Sequence, residues 1–157
     1  VKYKADKYFK DRGEIALGYE EFASEMALSA KKFEFMSFDY GEMQARPDFS
    51  IRVYAKHEVI PFFDDAIKRD ELFAKSDITY DVTFEHVKDA YEDAGVKFVE
   101  LKTQMVALID MGILDLLEML KEKVEEKVYK QELEKAKMLI MPNFLGERFK
   151  MVKFRKD

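Results

Sequence analysis

The run from Phe49 to Lys56 alternates without a break: Phe49, Ile51, Val53 and Ala55 fall on one face, Ser50, Arg52, Tyr54 and Lys56 on the other. Side chains of a strand point to opposite faces in turn, so this period of two predicts a half-buried β-strand. Other segments carry apolar residues at helical spacing. Ile15, Tyr19, Phe22, Ala23 and Met26 predict a helix over about Ile15–Ala30. A chain that mixes the two periods has to lay helices on a sheet.

The remaining elements follow from the same signals. The aromatic-rich segment 32–40 reads as a strand, and Gly41 and Pro47 in the intervening segment predict a hairpin between it and 49–56. Pro61 suits the first turn of a helix that buries Phe62, Ala66 and Ile67. Residues 77–82 read as a strand, with Thr83 as N-cap of a helix carrying Phe84, Val87 and Tyr91 and ending at Gly95. A long helix follows, apolar enough around Met105–Leu120 to predict a place in the middle of the fold, with a charged continuation as far as Pro142. The segment 148–155 reads as a last strand. The expected class is α+β, a mixed, mostly antiparallel sheet covered by helices, in the order α-β-β-α-β-α-α-β. No Gly/Ser linker, low-complexity segment or internal repeat interrupts it, so one domain over 1–157 is expected.

Composition narrows the function classes. Apolar residues make up 48% and charged residues 38%, a folded composition with a charged surface. The absence of cysteine excludes disulfides, thiolate metal sites and a Cys nucleophile. No run of about 18 apolar residues exists and no secretory hydrophobic region follows the N-terminus, so the expectation is a cytoplasmic protein that neither spans a membrane nor is secreted. Asn143 is the only asparagine and glutamine occurs three times, against abundant Lys and Glu, a thermophile-like balance. The net charge of −5 is unevenly spread. Residues 1–12 carry Lys2, Lys4, Lys7, Lys10 and Arg12 against Asp6 and Asp11, and residues 146–157 carry Arg148, Lys150, Lys153, Arg155 and Lys156 against Glu147 and Asp157. Two basic ends thus flank an acidic centre. That pattern suits either a phosphate-binding protein or one with solvated basic tails.

The best place for chemistry is the junction TYDVTFEH. A strand ending near Asp81 and a helix opening at Glu85 would set two carboxylates beside free backbone N–H groups, a combination that suits a hard cation such as Mg²⁺ and a phosphate. His86 would assist as proton donor, and Lys88 as phosphate contact. Asp39, Glu42 and Asp48 surround the expected hairpin turn, and Asp48 is the candidate third metal ligand. Glu100 and Lys102 match the E-x-K strand of restriction-type nucleases, but Phe98, Leu101, Met105 and Leu108 continue at helical spacing, and helix is the expectation there. Asp110 and Glu118 read as a solvent-facing stripe. The C-terminal RFKMVKFR interleaves aromatic and basic residues, which suits nucleic-acid contacts through Arg148, Lys150, Lys153 and Arg155 or, equally, a protected edge strand. There is no P-loop, Rossmann fingerprint or nucleophile elbow, and His57 and His86 lack zinc-site spacing.

The length, the lack of cysteine, the α-β-β-α-β start and the acid of TYDVTFEH together resemble a family of small α+β nucleases of crenarchaeal filamentous viruses, remotely nucleotidyltransferase-like in topology. The resemblance implies Mg²⁺-dependent cleavage of double-stranded DNA with Glu85 as the essential acid. The Gly-Ser turn and paired D-x-D of nucleotidyltransferases are absent. The competing expectation is a non-catalytic protein–protein interaction module using the acidic helix Lys121–Lys137. A third is a nucleic-acid-binding module using the basic ends.

Overall fold

The computed structural model describes residues 5–8, 11–55, 58–65, 67–72 and 74–157. Lys2, Lys4, Lys10, Lys56, His57 and Ala66 lie outside the described residues. After a short 3₁₀ turn the elements run α1 (Tyr19–Ser29), β1 (Phe33–Glu42), β2 (Arg52–Ala55), β3 (Glu58–Pro61), β4 (Asp77–Thr79), β5 (Val82–Thr83), α2 (Phe84–Asp93), β6 (Lys97–Thr103), α3 (Gln104–Asp110), α4 (Ile113–Lys123), α5 (Glu126–Ile140) and β7 (Phe149–Lys156). This is the α+β class, with helices on mixed and antiparallel sheets.

The larger sheet has the order β5-β1-β7-β6. β7 runs antiparallel to β1, from Phe33↔Lys156 to Tyr40↔Phe149, and antiparallel to β6, with a bulge between Phe98 and Glu100. β5 joins β1 in parallel, Gly41 opposite Val82. A side chain at position 41 would collide with the Val82 carbonyl, so only glycine permits that close approach. The smaller sheet is antiparallel, order β3-β2-β4.

The C-terminal strand is central for a reason readable in burial. Met151 and Val152 are successive residues, each only 2% exposed, and successive side chains point to opposite faces, so β7 is covered on both. Val152 and Phe154 face α1 and α2, where Phe35, Tyr91 and Phe154 stack; the Tyr91 and Phe154 ring centroids are 4.1 Å apart at 14°. Met151 lies on the other face, beside α3.

Several sequence expectations are corrected. The strands at 33–42 and 52–55 form no hairpin: each joins a different sheet, because β1 is taken by β7 from the far end of the chain. No helix begins at Pro61. That residue ends β3, the Phe62 N–H bonds the Ile51 carbonyl, and the Asp64 N–H turns back to the Pro61 carbonyl. Residues 97–103 are strand rather than helix, since pairing with β7 overrides the apparent helical spacing. The expected long helix is three. Thr103 accepts a cap bond from the Val106 N–H, Gly112 at φ 86° breaks the helix after α3, and Val124 and Glu125 are extended between α4 and α5. α4 does not run through the middle of the fold: Leu114, Leu116 and Met119 are about half exposed or more.

Phe154→Ala is expected to cost about 3–5 kcal/mol in urea unfolding, because it empties the centre of the aromatic stack, whereas Leu116→Ala on the open side of α4 is expected to change stability by less than about 0.5 kcal/mol. Among the described residues the buried Tyr91 hydroxyl has no hydrogen-bond partner, and burial pushes its pKa from 10.0 up to about 12. The unfolded chain therefore loses this proton first. Stability is expected to fall as pH rises from the unfolded value through the folded one, and absorbance titration should show Tyr91→Phe removing a late-titrating phenol.

Candidate functional site

The C-terminal end of β1 faces the small sheet across a dense polar network. Its centre is Asp81, just before β5. Arg52 Nη1 donates to one carboxylate oxygen at 2.8 Å and Arg46 Nη1 to the other at 2.9 Å. Ser50 Oγ accepts from the Asp81 backbone N–H at 2.7 Å and itself donates to Glu14, which also accepts from the Ser50 backbone N–H at 2.8 Å. Arg52 is held through Nη1, Nε and its face: Nη1 also reaches the Ser50 carbonyl, Nε donates to the Tyr54 hydroxyl, and the guanidinium lies 5.2 Å from the centre of the Tyr40 ring. The bond from Arg52 pulls the Tyr54 phenol below its ordinary pKa, helped by the positive charges of Arg52 and Arg148.

Three recesses meet this network, one of them a space of about 10 Å³ shared by Glu14, Asp81 and His86. The crevice on the Asp81 side, lined by Glu14, Glu42, Arg46, Asp48 and Asp81, encloses only about 10 Å³, the room of a single water. The hollow on the other side of Arg52 is larger, about 400 Å³, and lies between β1, β2 and the turn from α5 into β7.

The structure brings several predicted residues together without making them a metal site. Asp81, Asp48 and Glu42 do line one crevice, yet each is engaged by a base: Asp81 by Arg46 and Arg52, Asp48 by Arg12 at 2.9 Å, and Glu42 by Lys150 at 3.0 Å. Among the described residues no group of three His, Asp or Glu is placed to hold a metal ion, which overturns the expectation of Mg²⁺ on Glu85, Asp81 and Asp48. Glu85 stands apart from that crevice, and its own backbone N–H, at the helix mouth meant for phosphate, donates to the Met43 carbonyl at 2.9 Å. His86 is a core histidine. It is 3% exposed, its Nε2 lies 3.0 Å from Glu20, and the rings of Tyr8 and Tyr19 pack on it.

The basic residues expected on nucleic acid are mostly occupied. Lys88 reaches Glu92 and lies over the Phe98 ring, Lys150 pairs with Glu42, Lys153 with Glu34, and Arg155 with Asp157. Arg148 alone of these has no carboxylate partner among the described residues, and it lines the larger hollow. Glu100 and Lys102 do share a strand face, as the E-x-K pattern would have them, but Lys102 is clamped between Glu100 at 2.9 Å and Asp110 at 2.7 Å. The centre of the network, Ser50 with Arg52 and Tyr54, was visible in the sequence only as the polar face of an alternating strand.

No protein-family model matches the chain, and no curated protein matches it in sequence. Solved structures share its fold. One is the native crystal structure of an uncharacterized superfamily protein from Burkholderia thailandensis, with a TM-score of 0.70 at 21% identity over 90% of this chain and 38% of that one. Another, a member of the same superfamily from the same organism, is described as a "likely methyl transferase" bound to S-adenosyl-homocysteine, with a TM-score of 0.70 at 21% identity over 90% of this chain and 36% of that one. The chain thus spans less than two fifths of either structure. These neighbours overturn the resemblance to a viral nuclease and the reading of the chain as a hydrolase of phosphodiester bonds. The alternative of a non-catalytic interaction module gains no support from them either. Among the described residues no helix is long and apolar enough to cross a membrane.

The network gives an ordered prediction. Arg52→Ala should destabilise more than Arg46→Ala, because the Arg52 side chain is 14% exposed and the Arg46 side chain 56%, and exposed pairs contribute little. Ser50→Ala, which orphans the Asp81 N–H, is expected to cost about 1–3 kcal/mol. Urea unfolding of the three variants checks the order.

Proposed function

We propose that this chain is the acceptor-side part of an S-adenosyl-dependent methyltransferase, closing one end of the sheet and framing the group that receives the methyl. The observation that carries this reading is the fold shared with the S-adenosyl-homocysteine-bound structure over 90% of the chain. The network sits at the carboxyl end of β1, at Tyr40, Gly41 and Glu42, where β1 pairs in parallel with β5.

The hollow beside Asp39 does not fit the whole adenosyl group. The hollow between β1, α1 and α2, with Asp39 at its rim, measures about 240 Å³, short of the roughly 300–1,000 Å³ of small-molecule sites. We therefore place the donor outside that hollow. β1 pairs with β7 along Phe33–Tyr40, while on its other edge the described residues pair it only at Gly41 and Glu42, so a row of backbone donors and acceptors stands open there.

The test uses the intact protein that contains these residues, with tritiated S-adenosyl-methionine and a cell extract as acceptor pool. Label transfer is expected, and Arg52→Gln, checked for folding by circular dichroism, is expected to lower it at least tenfold with S-adenosyl-homocysteine affinity unchanged within twofold. Absence of both transfer and S-adenosyl-homocysteine binding overturns the methyltransferase reading. Loss of that affinity in Arg52→Gln overturns the acceptor-side assignment.

A further inference from the structure

Two hollows of similar size flank the larger sheet's neighbourhood, and their charge differs. The one beside α3, about 320 Å³, is lined by Lys102 and Lys153 together with Glu34, Glu100 and Asp110, so each cation there meets a carboxylate. The one between β1, β2 and the α5–β7 turn is lined by Arg52 and Arg148 and by no acid at all. Asp81 answers Arg52 from behind, but it is shared with Arg46. Arg52 spends Nη1 and Nε on Asp81, Ser50 and Tyr54 and keeps the two N–H groups of Nη2 without a partner among the described residues. Arg148 is exposed and unpaired there. In a chain of net charge −5, this is a local excess of positive charge facing an apolar recess.

The walls are aromatic and held in place. Tyr40 and Phe149 meet edge to face at 5.4 Å, and Tyr54 and Phe144 complete the sides. The turn that carries Phe144 is fixed by N–H bonds from Phe144 and Gly146 to the Met141 carbonyl. Gln104 Nε2 anchors the end of α5 through the Leu139 carbonyl at 2.8 Å. A side chain at Gly146 would collide with the Ile140 carbonyl, so the turn is closed tightly by glycine. Phe144 is nonetheless 49% exposed, an aromatic surface presented toward solvent by a rigid support.

We propose that this hollow binds a small anionic ligand, a carboxylate or phosphate on a flat apolar ring, with Arg148 and Arg52 holding the anion and Tyr40, Tyr54, Phe144 and Phe149 holding the ring. The volume of about 400 Å³ falls within the range of small-molecule pockets, and the Arg148 fork together with Nη2 of Arg52 suits either oxyanion. Arg52 comes to the ligand already oriented by Asp81 and by Tyr40, so little ordering remains to oppose binding. The inference rests on the methyltransferase reading only where it makes this ligand the methyl acceptor; binding itself requires no donor.

The experiment is therefore a calorimetric titration without donor, at low salt, of the protein with 4-hydroxybenzoate and, separately, with phenyl phosphate. Saturable binding of at least one probe is expected, and which one binds tells carboxylate from phosphate. Arg148→Ala is expected to weaken it at least tenfold and Arg148→Lys less; Lys130→Ala, on the exposed side of α5, is expected to leave it unchanged. Arg148 is chosen because it supports no part of the network, so its removal should leave thermal unfolding where it was. Failure of both probes to bind overturns the proposal, as does binding indifferent to Arg148→Ala. If binding succeeds while the intact protein transfers no methyl label, the anion site stands and the acceptor role falls.

Discussion

The Asp81 carboxylate, held between Arg46 and Arg52, is the interaction on which the arrangement of the molecule turns. It lies two residues after the small sheet and directly before β5, so what fixes it ties β2–β4 to the β1 end of the larger sheet. Its charge is four-fifths withdrawn from water, and a carboxylate in that position is stable only while both oxygens are answered. Arg52 does so from β2 and Arg46 from the loop after β1, while Ser50 covers the backbone N–H. Removing one arginine leaves a half-answered charge rather than a neutral gap. The two arginines are not equivalent, since the one in the strand is the one shielded from solvent.

How far the sequence foretold this is uneven, and for physical reasons. Strands β2 and β7 were legible because alternation is a local property. What alternation does not record is the partner. Phe33–Tyr40 gains more by burying its apolar face beside Val152 and Phe154 than by folding back on 52–55, and that choice is made over more than a hundred residues of separation. The segment 97–103 failed for the opposite reason. Its apolar residues satisfy a helical period and a strand period together, and only pairing with β7 decides between them.

The chemistry was less legible than the fold. Asp81, Asp48 and Glu42 do converge, but convergence of acids in a sequence says nothing of the bases that arrive with them. Arg12, Arg46, Arg52 and Lys150 come from four different segments and convert a possible cation site into a set of ion pairs. His86 shows the same limit. Its neighbours in sequence mix polar Glu85 and Lys88 with apolar Phe84 and Val87, and its neighbours in space are Tyr8, Tyr19 and Glu20, so a residue read as a proton donor is a packed member of the interior.

The charge that matters most for recognition is then the charge left over after pairing. Most of the basic residues near the C-terminus that looked suited to a phosphate backbone are spent on Glu42, Glu34 and Asp157. Arg148 is left, in the single position of that segment that lies over an aromatic recess. An isolated cation on a surface attracts anions weakly, because water screens it. Set at the rim of an apolar hollow whose described lining includes no carboxylate, with a second guanidinium already fixed there from behind by Asp81, it is the group proposed to draw them to one place. The same Arg52 that holds the two sheets together through Nη1 and Nε thus has Nη2 left for a ligand, and the stability of the network and the shape of the site are two consequences of one side chain.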